Sequence, residues 1–137
     1  MNSFIKNTDG LNPEHKNQLP VLEKEYQPPG VDRTEITRLY ADGSLYFLFV
    51  TGERTGNEKW GAHLMVKKNA IDKIRNVIEE SAELSSDELT GNYKGLAIWR
   101  ILYDNTINEV VTTIIPASKH IIFKEIQELI NHNIVQK

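Results

Sequence analysis

The chain contains no cysteine. That single absence excludes disulfides, thiolate metal ligands and a cysteine nucleophile. It suits a reducing compartment, so a cytoplasmic location is the expectation. No apolar run approaches the roughly 20 residues that a helix needs to span a bilayer, and no membrane association is expected. The opening segment MNSFIKNTDGLNPEHKNQLP lacks the apolar stretch of a secretory signal, so none is expected. A basic stripe is missing too. Lys and Arg total 16 against 19 Asp and Glu, a formal net charge of -3, and the signs are mixed along most of the chain. A nucleic-acid partner is therefore not expected.

Several reaction signatures are also absent. There is no Gly-x-Ser-x-Gly elbow, no phosphate loop ending in Gly-Lys-Ser/Thr, and no His-Glu-x-x-His or His-x-x-x-His spacing. No catalytic residue, metal ligand or cofactor is assigned from the sequence, and a non-enzymatic role is favoured.

What is present is the material of one soluble domain. The 137 residues are 39% hydrophobic and 26% charged, sufficient for a single core. Residues 1–33 are polar and punctuated by Asn12-Pro13, Leu19-Pro20 and Pro28-Pro29-Gly30. Proline removes backbone donors and fixes φ, so this stretch reads as an extended arm, with a short helical piece around Pro20 to Tyr26. Residues 34–137 read as one α+β domain.

Within that domain, Ile36 to Tyr40 and Leu45 to Thr51 are rich in β-formers and flank Asp42-Gly43, a dipeptide suited to a hairpin turn. The run LYFLFV is apolar at every position, which predicts a central strand with Phe47 and Phe49 covered. Ala62 to Lys67 reads as a third strand. Ile71, Ile74, Val77 and Ile78 recur at helical spacing behind Asn69, a cap candidate. LAIWRILY and INEVVTTII form a second hairpin around Asp104-Asn105-Thr106. The last helix carries Ile122, Ile126, Leu129 and Ile130 on one stripe. The expected fold is α+β: a two-layer structure with an antiparallel sheet of about five strands, order β-β-β-α-β-β-α, and two helices on one face.

Two stretches are candidates for function. Glu79, Glu80, Glu83, Asp87 and Glu88 form the densest run of one charge sign, a surface that would steer a basic partner. The loop TGERTGNEKWGAH holds Arg54 and Trp60, the latter either a lid on the core or an interface anchor. Together these predict a protein-binding domain. By analogy of type it resembles bacterial immunity proteins that neutralise a basic toxin or nuclease by occlusion. The alternative is an enzyme or small anionic-ligand binder at one end of the sheet, drawing on Arg54, Lys59, His63 and His120 for acid/base or phosphate-binding chemistry. A homodimer joined through a strand edge is a third expectation.

Overall fold

Strand pairing in this protein is organised by charge as much as by apolar patterning. The computed structural model describes residues 4–28, 32–52, 58–81, 96–113 and 121–135. In VLEKEYQ, Leu22, Lys24 and Tyr26 alternate with Glu23 and Glu25, and this segment forms strand β1 (Leu22–Gln27). The two glutamates are tolerated inside a sheet because the flanking strands answer them with arginine: Glu23 lies opposite Arg38 on one side and Arg100 on the other. Opposite charges directly across a ladder stabilise the pairing.

The chain runs through a short helix α1 (Pro13–Lys16), β1, β2 (Arg33–Leu39), β3 (Ser44–Thr51), β4 (Gly61–Val66), α2 (Lys68–Ser81), β5 (Leu96–Tyr103), β6 (Thr106–Thr113), α3 (Ile121–His132) and β7 (Ile134–Val135). The strands make one seven-stranded sheet in the order β6-β5-β1-β2-β3-β4-β7, and every neighbouring pair is antiparallel. The class is the expected α+β with an antiparallel sheet. The strand count and order differ from expectation in two places. β1 was hidden in the segment read as arm and helical piece, because its charged alternation resembles a solvated stretch. β7 is two residues long, too short to carry a pattern.

Two hairpins are set by their turns. Between β2 and β3, Gly43 adopts φ +94°, and its N–H donates to the Tyr40 carbonyl at 3.0 Å. Between β5 and β6, Asp104 and Asn105 have φ +51° and +60°, the mirror-image turn that matches strand twist.

The alternation of each strand sends its residues to two different covers. On one face lie Leu22, Leu39, Leu45, Ala97, Trp99, Ile101 and Val110, packed against Ala70, Ile71, Ile74, Val77 and Ile78 of α2 and Ile122, Phe123, Ile126 and Ile130 of α3. Trp99 stacks on Phe123 with centroids 5.0 Å apart. On the other face, Ile36, Tyr40, Tyr46, Leu48, Val50 and Trp60 close over Leu11, with Ile5 alongside. The N-terminal arm, residues 4–21 among those described, therefore supplies a third layer. β3 departs from expectation: Phe49 is 57% exposed, its ring parallel to that of half-buried Phe47 at 6.5 Å.

Candidate interaction groove

Three polar constellations stand out, and their access to water separates them. The first lies on the arm side of the sheet. Arg38 donates from Nε and Nη2 to Glu23 Oε2 at 3.0 and 2.7 Å. Arg100 bridges Glu23, Glu25 and Glu109 at 2.8, 3.0 and 3.0 Å. Burial alone would lower the Arg100 pKa, but Glu23 and Glu25 hold its charge more firmly still, and the net direction is upward. The Arg38 guanidinium also rests 4.5 Å from the Trp60 ring centroid. Glu23 is 0% exposed and Arg38 3%, so this layer fastens strands together rather than meeting a ligand.

The second is built around His15, 1% exposed. Its Nδ1 is 2.7 Å from the Tyr46 hydroxyl and its Nε2 2.8 Å from Asp42 Oδ2. The same hydroxyl accepts the Asn12 N–H at 3.2 Å. Burial raises the Tyr46 pKa, which keeps the phenol protonated. The order Tyr-His-Asp resembles a proton relay; the imidazole is buried and stacked on Tyr40 at 4.4 Å, and water reaches the series only at the Asp42 carboxylate, 53% exposed, so it reads as a clasp between α1 and the β2–β3 turn.

The third constellation is open. Where the second half of α2 faces the β5–β6 turn, a groove of about 400 Å³ is lined by Val21, Arg75, Ile78, Glu79, Leu102, Tyr103, Asp104 and Asn105. Helical spacing puts Arg75 and Glu79 on the same side of α2. The tight turn projects Tyr103, 41% exposed, beside Asp104 and Asn105. Among the described residues, the side chains of Arg75, Glu79, Tyr103, Asp104 and Asn105 make no hydrogen bond or ion pair to the protein. The last turn of α2 carries no basic residue, although a helix C-terminus favours cations and disfavours carboxylates. Glu79 therefore sits at the helix end least suited to a carboxylate.

The residues singled out from the sequence are distributed as follows. Glu79 is exposed and lines the groove. Glu80 belongs to α2, with its side chain outside the described residues, as are Arg54, Glu83, Asp87, Glu88 and His120 entirely. Lys59 is exposed, and His63 lies on β4 with its side chain undescribed. Trp60 is 3% exposed, and its Nε1–H donates to the Asn7 carbonyl at 2.8 Å, so it forms a lid on the arm-side core.

The structure adds Arg75, Tyr103, Asp104 and Asn105. The turn at Asp104 and Asn105 was legible in the sequence; its approach to Arg75 on α2 was not. Among the described residues, no three His, Asp or Glu groups are placed to hold a metal ion, and no helix is long and apolar enough to cross a membrane. Comparison of the chain with protein-family models and with curated proteins gives no match.

Proposed function

We propose that this chain is a non-enzymatic protein-binding domain that engages a basic protein through the groove between α2 and the β5–β6 turn. The observation that carries this reading is the groove's lining: an exposed tyrosine among charged side chains that have no partner within the described fold. Tyrosine offers a large, stiff contact surface with a polar end, the type of residue enriched at binding hot spots. Glu79 and Asp104 supply the charge that steers a basic surface, and the end of the α2 dipole reinforces it. Glu80, Glu83, Asp87 and Glu88 follow in the sequence and carry the same sign of charge. The finer form of the proposal is an immunity-type protein, which occludes the active surface of a basic toxin or nuclease.

The test is co-purification from the native cell with tagged protein, wild type beside Glu79→Lys, Asp104→Asn and Tyr103→Ala. Asparagine is used at 104 because it tolerates the positive φ there. One stoichiometric basic protein, lost with these variants and retained when the distant Lys16 is changed to Glu, supports the reading. Suppression of that protein's nuclease activity by wild type alone supports the finer form. A partner held equally by all variants, or a small molecule recovered in place of a protein, overturns it.

A further inference from the structure

The arm is held by contacts that do not depend on which chain supplies it. Ile5 is gripped through its backbone: its N–H donates to the Glu23 carboxylate at 3.2 Å, and its carbonyl accepts from Arg38 Nη2. Further along, Trp60 donates from Nε1 to the Asn7 carbonyl and from its backbone N–H to the Asp9 carbonyl at 2.7 Å. Asn7 Nδ2 donates to the Glu58 carbonyl at 2.6 Å. Leu11 enters the apolar cluster, and His15 closes the series between Tyr40, Tyr46 and Asp42. Beyond α1 the chain is attached again at Val21, whose N–H donates to the Leu39 carbonyl at 2.7 Å. Between these points runs a short linker, in which Leu19 is 59% exposed.

We propose that the arm is exchangeable, so that two copies of this chain form a symmetric dimer in which each arm occupies the other's cleft. The cleft itself identifies the occupant. A Cβ at Gly10 would lie 2.1 Å from the Trp60 carbonyl oxygen, and Gly10 has φ +92°, so a foreign segment with a side chain there is refused. The recess formed by Tyr40, Tyr46 and Asp42 matches an imidazole. The segment that satisfies both is this arm, and its other source is a second copy.

Exchange reproduces each arm contact in trans and alters only the linker, which is why it is a low-cost route to a dimer. The linker is compatible with an extended hinge. Leu19 precedes Pro20, and a residue before proline is biased toward extended backbone. Leu19, 59% exposed, is an apolar side chain that the monomer leaves in water, and covering it in a dimer would add a favourable contact.

The absence of cysteine provides a clean test. One batch carries Asn7→Cys, another Glu58→Cys, and a control chain carries both. The two single variants are unfolded, mixed, refolded together at high protein concentration and oxidised. A covalent heterodimer that thiol dissolves, with a light-scattering mass that moves from monomer to dimer as concentration rises, is the expected result. A monomeric mass at every concentration overturns the proposal. So does a dimeric mass without the covalent heterodimer when the control chain closes its own disulfide, because assembly then uses another surface.

Discussion

Arg38 stands directly across from Glu23 on the adjacent strand, and both side chains are shut away from water, 3% and 0% exposed. The same guanidinium binds the Ile5 carbonyl and reaches the Tyr40 hydroxyl at 3.3 Å. Removing one partner from such a pair leaves a buried charge and typically costs about 3–5 kcal/mol. Arg38→Met is expected near the lower end, because Arg100 still answers Glu23. Urea unfolding measures it. Arg38→Met with Glu23→Gln should lose less than the two single variants added, since each single change already breaks the Arg38–Glu23 pair; a double variant that loses as much as both singles added would contradict the coupling.

Gly10→Ala should detach the arm. The added methyl overlaps the Trp60 carbonyl, and the backbone there is left-handed, a combination worth about 1–3 kcal/mol of strain. Tryptophan emission should shift to the red as Trp60 is uncovered while Trp99 stays packed on Phe123. Limited proteolysis should cut ahead of β1 sooner than in wild type. An unchanged spectrum and cleavage pattern would count against the fit described for the arm.

Acid should weaken the His15 clasp through Asp42. Burial pushes the Asp42 pKa up, but the Ser44 N–H and His15 outweigh it, and the net direction is downward. A carboxyl depressed by folding contributes its stabilisation in full above the unfolded value of about 3.9. That contribution is lost as pH falls through the lower folded value. Asp42→Asn should therefore show a shallower loss of stability below about pH 4. The effect should be small, because the Asp42 side chain is 53% exposed and water screens it. Equal acid slopes for the two proteins would remove Asp42 from the clasp.

Lys24 has a lowered pKa too, but at this residue the charged form is the one that folding disfavours. Its ammonium lies 5.1 Å from the Trp99 ring centroid and 5.4 Å from that of Tyr26, and donates to Gln127 at 2.9 Å. Burial lowers its pKa, with Glu35 opposing. The unfolded chain then holds its proton up to about pH 10.4 while the folded chain releases it earlier, so stability rises with pH across that window. Lys24→Met keeps the apolar stem and forfeits one hydrogen bond, worth about 1 kcal/mol. Its neutral-pH stability should fall within that margin of wild type or above it, and the alkaline rise should flatten. A loss of several kcal/mol would mean that the ammonium itself stabilises the fold.

Local rules made much of this architecture legible. Asp42-Gly43 and Asp104-Asn105 marked the turns that formed, and Ile71, Ile74 and Ile78 marked a face that is buried. β1 was missed because charge in a central strand makes sense only beside Arg38 and Arg100, one of which is remote in sequence. Phe49 was read as covered because an apolar run reports hydrophobicity and not how far the helices extend over the sheet. Glu79 was singled out by charge alone. Tyr103 and Arg75 share a groove because a hairpin tip packs beside a helix, a relationship between distant segments that periodicity does not encode.

The position of β1 also governs how the sheet is assembled. It pairs with β2 across a short connection, but its other neighbour is β5, with Glu23 facing Arg100. As synthesis proceeds, β1 to β4 emerge as a nearly contiguous meander, while the β5 side of β1 waits for a later part of the chain. Such long-range closure slows folding. An unpaired edge is meanwhile open to pairing with other chains, a hazard that charged residues on the strand reduce. Glu23 and Glu25 thus meet two demands at once: charge on an unpaired strand discourages pairing with other chains, and both carboxylates find Arg100 when β5 closes against β1.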